Sequence, residues 1–92
     1  MRSLHDAILS DLRFDWSKRV CVVSLRAFLQ NGQPAEDCQI LLHGVTDASV
    51  PHCAPWGESS FVNTLRVDKG TFVIEMQSGD EIRIAAESFD FK

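Results

Sequence analysis

The sequence predicts a small all-β domain, an antiparallel β-sandwich or open barrel of six to seven strands, mostly a meander. Three observations lead there. Apolar residues recur at every second position in segment after segment. Short connections containing Gly, Asp or Asn separate those segments. No helical pattern is long enough for the crossovers that parallel strands need. With 92 residues the chain makes a single β domain, 1–92, near the lower size limit for one hydrophobic core.

The first strand starts near Ile8, where Ile8, Leu12, Phe14 and Trp16 share one parity and Asp11, Arg13 and Asp15 take the other. That parity places Trp16 in the core. Leu4, Ile8, Leu9 and Leu12 also fit a 3.6-residue period, so an amphipathic helix over 4–14 competes with the strand. The favoured reading is at most a short helical turn over Ser3–Ala7, with Ser3 as cap and Asp6 in its first turn, then strand.

Val20–Leu29 is the longest β-prone run. Cys21, Val23, Leu25, Ala27 and Leu29 form its apolar face, and Ser17-Lys18-Arg19 connects it tightly to the first strand. Asn31-Gly32-Gln33-Pro34 is rich in turn residues. A third strand runs from Cys38 to about Val45, with Cys38, Ile40 and Leu42 on one side and Gln39, Leu41 and His43 on the other.

Residues 46–60 form a long irregular loop containing Pro51, His52, Cys53, Pro55, Trp56 and Gly57. Such a length in so small a domain points to a function, or to a cover over one end of the core.

The last third is the clearest. Phe61–Val67, Thr71–Gln77 and Glu81–Ala86 read as strands, and Gly70 and Gly79 supply the left-handed positions of the two turns between them. Phe72, Ile74 and Met76 point in, as do Ile82 and Ile84; Thr71, Val73, Glu75, Gln77 and Arg83 point out. Phe89 and Phe91 continue the parity into a final edge strand.

Charge narrows the function classes. Thirteen acids against nine bases give a net charge of −4, and Lys18-Arg19 is the only adjacent basic pair. Phosphate neutralisation has no footprint here, so nucleic acid is not an expected partner. An acidic chain suits a basic protein partner. No membrane span and no signal peptide is visible, and three cysteines are too few for a disulfide framework, so the expected location is cytoplasmic.

Chemistry-bearing residues are sparse. His5, Asp6, His43, His52 and Cys53 are the available metal ligands, but no standard spacing joins them, and neither a metal nor another cofactor is expected. Cys53 is the most plausible reactive thiol, because Cys21 and Cys38 take core parity. A small-ligand or Cys–His site built from His5, His52 and Cys53 is one alternative, without catalytic residues that the pattern identifies. Asp11, Asp15, Glu75 and Glu81 read as solvated-face carboxylates.

By elimination the expected function is non-enzymatic protein binding. Trp56, Gly57, Glu58, His52 and Asp6 are the candidate binding residues. An exposed patch of Trp56, Glu58, Asp80 and Glu81 would serve it. Trp56 reads either as an interface anchor or as a lid folded on the open end of the sheets. A structural module that forms a homodimer through an exposed strand edge is the other alternative.

Four segments, Leu4-His5-Asp6-Ala7, Phe14-Asp15-Trp16, Pro55-Trp56-Gly57-Glu58-Ser59-Ser60 and Met76-Gln77-Ser78-Gly79-Asp80, together carry a resemblance. They resemble small bacterial domain-of-unknown-function proteins, some of them similar to immunity proteins of polymorphic toxin systems. The resemblance implies a cytoplasmic bacterial protein that neutralises a partner by direct binding and steric occlusion. It implies no catalytic residues.

Overall fold

The structure, a computed structural model, describes residues 6–27 and 36–91. Leu29, the Asn31–Pro34 turn and His5 lie outside the described residues. The eight strands are β1 (Ile8–Asp15), β2 (Val20–Ala27), β3 (Glu36–His43), β4 (Asp47–Ser49), β5 (Val62–Asp68), β6 (Thr71–Met76), β7 (Glu81–Ala85) and β8 (Ser88–Phe91). They form two four-stranded antiparallel sheets, ordered β1-β2-β3-β8 and β4-β7-β6-β5. The fold is an all-β sandwich. The strand beyond the expected six or seven is β4, three residues inside the 46–60 loop.

The meanders β1-β2-β3 and β5-β6-β7 are joined by two arms that change sheets together. β3 pairs with β8 in one sheet, and their continuations β4 and β7 pair in the other. The Glu87 amide donates to the His43 carbonyl at 2.8 Å and the Thr46 amide to the Ala85 carbonyl at 3.0 Å, so the pairing persists through the corner. Another edge is also stitched. The Asp6 amide donates to Val62, the Val62 amide to Ala7 and the Leu9 amide to Ser60, beside an Ile8–Phe61 bridge. Among the described residues, β1 beyond Leu9 is an edge strand with β2 on one side only.

The core lies between the sheets. Val23, Leu25, Ile40 and Leu42 from one face meet Val62, Phe72, Ile74 and Ile84 from the other, all buried. Phe72 and Phe89 touch across the sheets with ring centroids 5.7 Å apart. Burial of this kind contributes about 25 cal/mol per Å² of apolar surface and is the main force holding so small a domain together.

β1 departs from simple alternation. Leu9 pairs with Leu25 and Asp11 with Ser24, which leaves Ser10 as an extra, bulged residue. The bulge puts Leu9, not Ile8, on the same side as Leu12, and both pack against the core. Asp6 has φ +66°, a left-handed conformation rather than that of a first helical turn, and no helix occurs among the described residues. Trp16 is not in the core: it begins the β1–β2 connection and is 94% exposed.

Val73 also differs from expectation. It points outward yet is fully buried. Its cross-strand neighbours are Arg66 and Arg83, whose aliphatic stems can cover it while their heads reach acids. Arg66 pairs with Glu75, and Arg83 with Glu81. On the outer face of this sheet the paired charges of Arg66, Glu75, Glu81 and Arg83 therefore surround Val73.

Candidate binding site

The distinctive part of the 46–60 loop is held by one carboxylate. The β6–β7 connection is a three-residue hairpin loop, Gln77-Ser78-Gly79, closed by the Gly79 amide donating to the Met76 carbonyl and the Met76 amide donating to the Asp80 carbonyl. Asp80 follows it at 6% exposure. Its Oδ1 accepts the Cys53 amide at 2.8 Å, and its Oδ2 accepts the Ala54 amide at 2.9 Å and the Ser78 hydroxyl at 2.8 Å. Two consecutive amides converging on an anion make a small backbone nest, and Ala54 supplies its left-handed residue with φ +49°.

These bonds favour the ionised form. The Cys53 amide above all, then the Ser78 hydroxyl, the Ala54 amide and the nearby His52 charge, hold the Asp80 carboxyl below its usual range against the opposing effect of burial. No buried side-chain polar atom among the described residues lacks a partner.

From this anchor the chain makes a turn. The Gly57 amide donates to the Ala54 carbonyl at 3.0 Å, with Pro55 and Trp56 between them. Pro at the second and Gly at the fourth position suit such a turn. The Trp56 amide then donates to the Ser78 carbonyl at 2.9 Å, so the loop docks on the hairpin tip. Trp56 is 77% exposed. It is not a lid over the core: one edge of the indole rests on the Gly79 backbone and the rest faces solvent.

The other expected site residues fall around this unit. Gly57 and Glu58 are exposed next to Trp56. His52 is exposed and lines a cleft of about 360 Å³ with Leu12, Pro51, Ser60, Met76 and Ile82. Asp6 attaches to the same hairpin, accepting the Gln77 side-chain amide at 2.5 Å, one residue before the Ser78 carbonyl that holds Trp56. The expected patch of Trp56, Glu58, Asp80 and Glu81 does not exist as such. Asp80 is buried beneath the loop, and Glu81 is tied to Arg83 on the outside of its sheet.

The chemistry available is limited. Cys53 is an exposed free thiol whose amide is committed to Asp80. Cys21 is buried, and burial pushes its thiol up to about 11, so it is inert. Among the described residues no three His, Cys, Asp or Glu side chains gather as metal ligands. His43 pairs with Asp90 of β8 at 3.1 Å, within the β1-β2-β3-β8 sheet. No helix among the described residues is long and apolar enough to cross a membrane.

Asp80 is the site residue that sequence reasoning undervalued. The signal present was Ser78-Gly79-Asp80 after an apolar strand, which reads equally well as an ordinary turn. Comparison with known proteins finds no matching family model, curated protein or solved structure.

Proposed function

We propose that this chain is a non-enzymatic protein-binding domain whose contact surface is the 52–58 loop with Trp56 at its centre. The observation that carries this reading is a large aromatic side chain, 77% exposed, on a segment that a buried carboxylate fixes in place. An exposed Trp on a mobile loop would lose affinity to ordering. Held as it is here, it can bury its area on a partner with little further entropic cost. Glu58 beside it and the net charge of −4 favour a basic partner surface.

Occlusion of a partner's working surface fits a domain that offers a fixed hydrophobic anchor and, among the described residues, no assembled catalytic group. On this reading the protein acts in a bacterial cytoplasm in the manner of an immunity protein.

Capture from native cell lysate with the wild-type chain and a Trp56→Ala bait tests the proposal. A stoichiometric partner held by the wild type and lost with the Trp56→Ala bait supports it. A partner retained equally by both baits, or none with either, contradicts it.

A further inference from the structure

A second surface, remote in sequence from the Trp56 loop, has the composition of a strand that pairs with itself. Beyond the Ser10 bulge, β1 and its next residue read Asp11-Leu12-Arg13-Phe14-Asp15-Trp16. Asp11, Arg13 and Asp15 lie on the outer face, opposite Ser24, Val22 and Val20. Leu12 and Phe14 lie on the inner face, opposite Val23 and Cys21. The edge away from β2 has no strand beside it from Asp11 to Asp15 among the described residues. Phe14 and Trp16 stand exposed there in a groove of about 650 Å³, with Val20, Val45 and Ala48 among its lining.

We infer that this edge pairs antiparallel with β1 of a second copy of the chain, with Phe14 on the two-fold axis. In that register each Arg13 faces the other copy's Asp15, so two opposite-charge pairs form on the outer face. On the inner face Phe14 meets Phe14, and each Leu12 faces the other copy's Trp16. The arrangement is isologous and closed, so it makes a dimer and not a fibre.

Neighbouring registers are worse. Centring on Arg13 sets Arg13 against Arg13 and Asp11 against Asp15, all like charges. Centring on Leu12 sets Asp11 against Arg13, but it requires Leu9 to pair with Asp15. Leu9 already donates its amide to Ser60, and the Ser10 bulge interrupts the edge. The Phe14 register uses only the part of the strand that is open. It also covers Trp16, the more exposed of the two tryptophans, beside a strand edge that would otherwise invite unspecific pairing.

Molar mass by size-exclusion chromatography with light scattering tests this on four chains: wild type, Arg13→Asp, Asp15→Arg and the double exchange. The wild type is expected to dimerise reversibly. Each single reversal sets like charges opposite one another twice and weakens the dimer roughly tenfold or more, and the double exchange restores it. Because the Arg13 side chain is 79% exposed, the reversal leaves the core untouched.

Phe14→Cys in a Cys53→Ser background gives a second measurement. Paired residues on the axis have Cα atoms about 4.5–5.5 Å apart, within disulfide reach, so air oxidation yields a covalent dimer, whereas Leu12→Cys in the same background stays monomeric on a non-reducing gel. A wild type that stays monomeric up to its solubility limit overturns the inference. So does a dimer indifferent to the single reversals, or one that the double exchange fails to restore.

Discussion

Trp56 occupies the space where Gly79 would carry a side chain: a Cβ at Gly79 would stand 2.7 Å from the indole Cδ2 and 2.9 Å from Pro55 Cγ. The φ of +91° at Gly79 adds a second reason for glycine there. Gly79→Ala therefore destabilises by about 2 kcal/mol or more in chemical denaturation. Removing the indole relieves its share of the steric clash and leaves the Pro55 contact and the backbone strain. The Trp56→Ala, Gly79→Ala double variant loses less than the sum of the two single losses, by roughly 0.5 kcal/mol or more in a double-mutant cycle.

Acid sensitivity follows from two carboxylates. Asp80 is held below its ordinary 3.8 first by the Cys53 amide. Glu75 is held below its ordinary 4.5 first by the Thr64 hydroxyl and then by Arg66. Each binds its proton more weakly in the folded than in the unfolded chain. The stability they contribute is complete above the unfolded values and is lost as pH falls through the folded ones. Urea midpoints therefore decline as pH falls below about 4.5. Asp80→Asn flattens part of that decline, and at neutral pH it lowers the melting temperature by roughly 5 °C or more.

The β5–β6 hairpin has a two-residue loop, Lys69-Gly70, between paired Asp68 and Thr71, with φ of +48° and +78°. That is the sign pattern of a type I′ turn, which favours Asn-Gly. Lys69→Asn removes the strain of a lysine in the left-handed region. It is expected to raise the urea midpoint, by about 0.5 kcal/mol in unfolding free energy.

Thiol accessibility reports the packing directly. Cys53 is exposed while Cys21 and Cys38 are buried in the core face of their strands. Iodoacetamide on the folded protein, followed by mass spectrometry, is expected to modify Cys53 alone. All three react once the chain is unfolded in urea.

Much of this was legible in the sequence. The core faces of β2, β3, β6 and β7 follow strict period two, and the structure has Cys21, Val23, Leu25, Cys38, Ile40, Leu42, Phe72, Ile74, Ile82 and Ile84 buried. β1 was harder, because a bulge at Ser10 sets Leu9 and Leu12 three apart on one face, a spacing that imitates a helix. β4 has no apolar alternation of its own, since Asp47-Ala48-Ser49 becomes a strand only beside β7. Val73 is buried although it faces outward, between Arg66 and Arg83 of two other strands, which no local pattern reveals. Pro55-Trp56-Gly57 and Ser78-Gly79-Asp80 each stood out as segments, but the bonds that tie the loop to the hairpin, from Cys53 and Ala54 to Asp80, span 27 and 26 residues. Only the fold makes them one unit.

The clamp of Asp80 on the Trp56 loop is the central claim, and amide hydrogen exchange tests it most directly. In the wild type the amides of Cys53, Ala54 and Trp56 are expected to exchange slowly for loop positions. In Asp80→Asn the Cys53 and Ala54 amides should lose that protection while strand amides such as those of Val23 and Ile74 keep theirs. Exchange of Cys53, Ala54 and Trp56 at unstructured-peptide rates in the wild type would contradict the account.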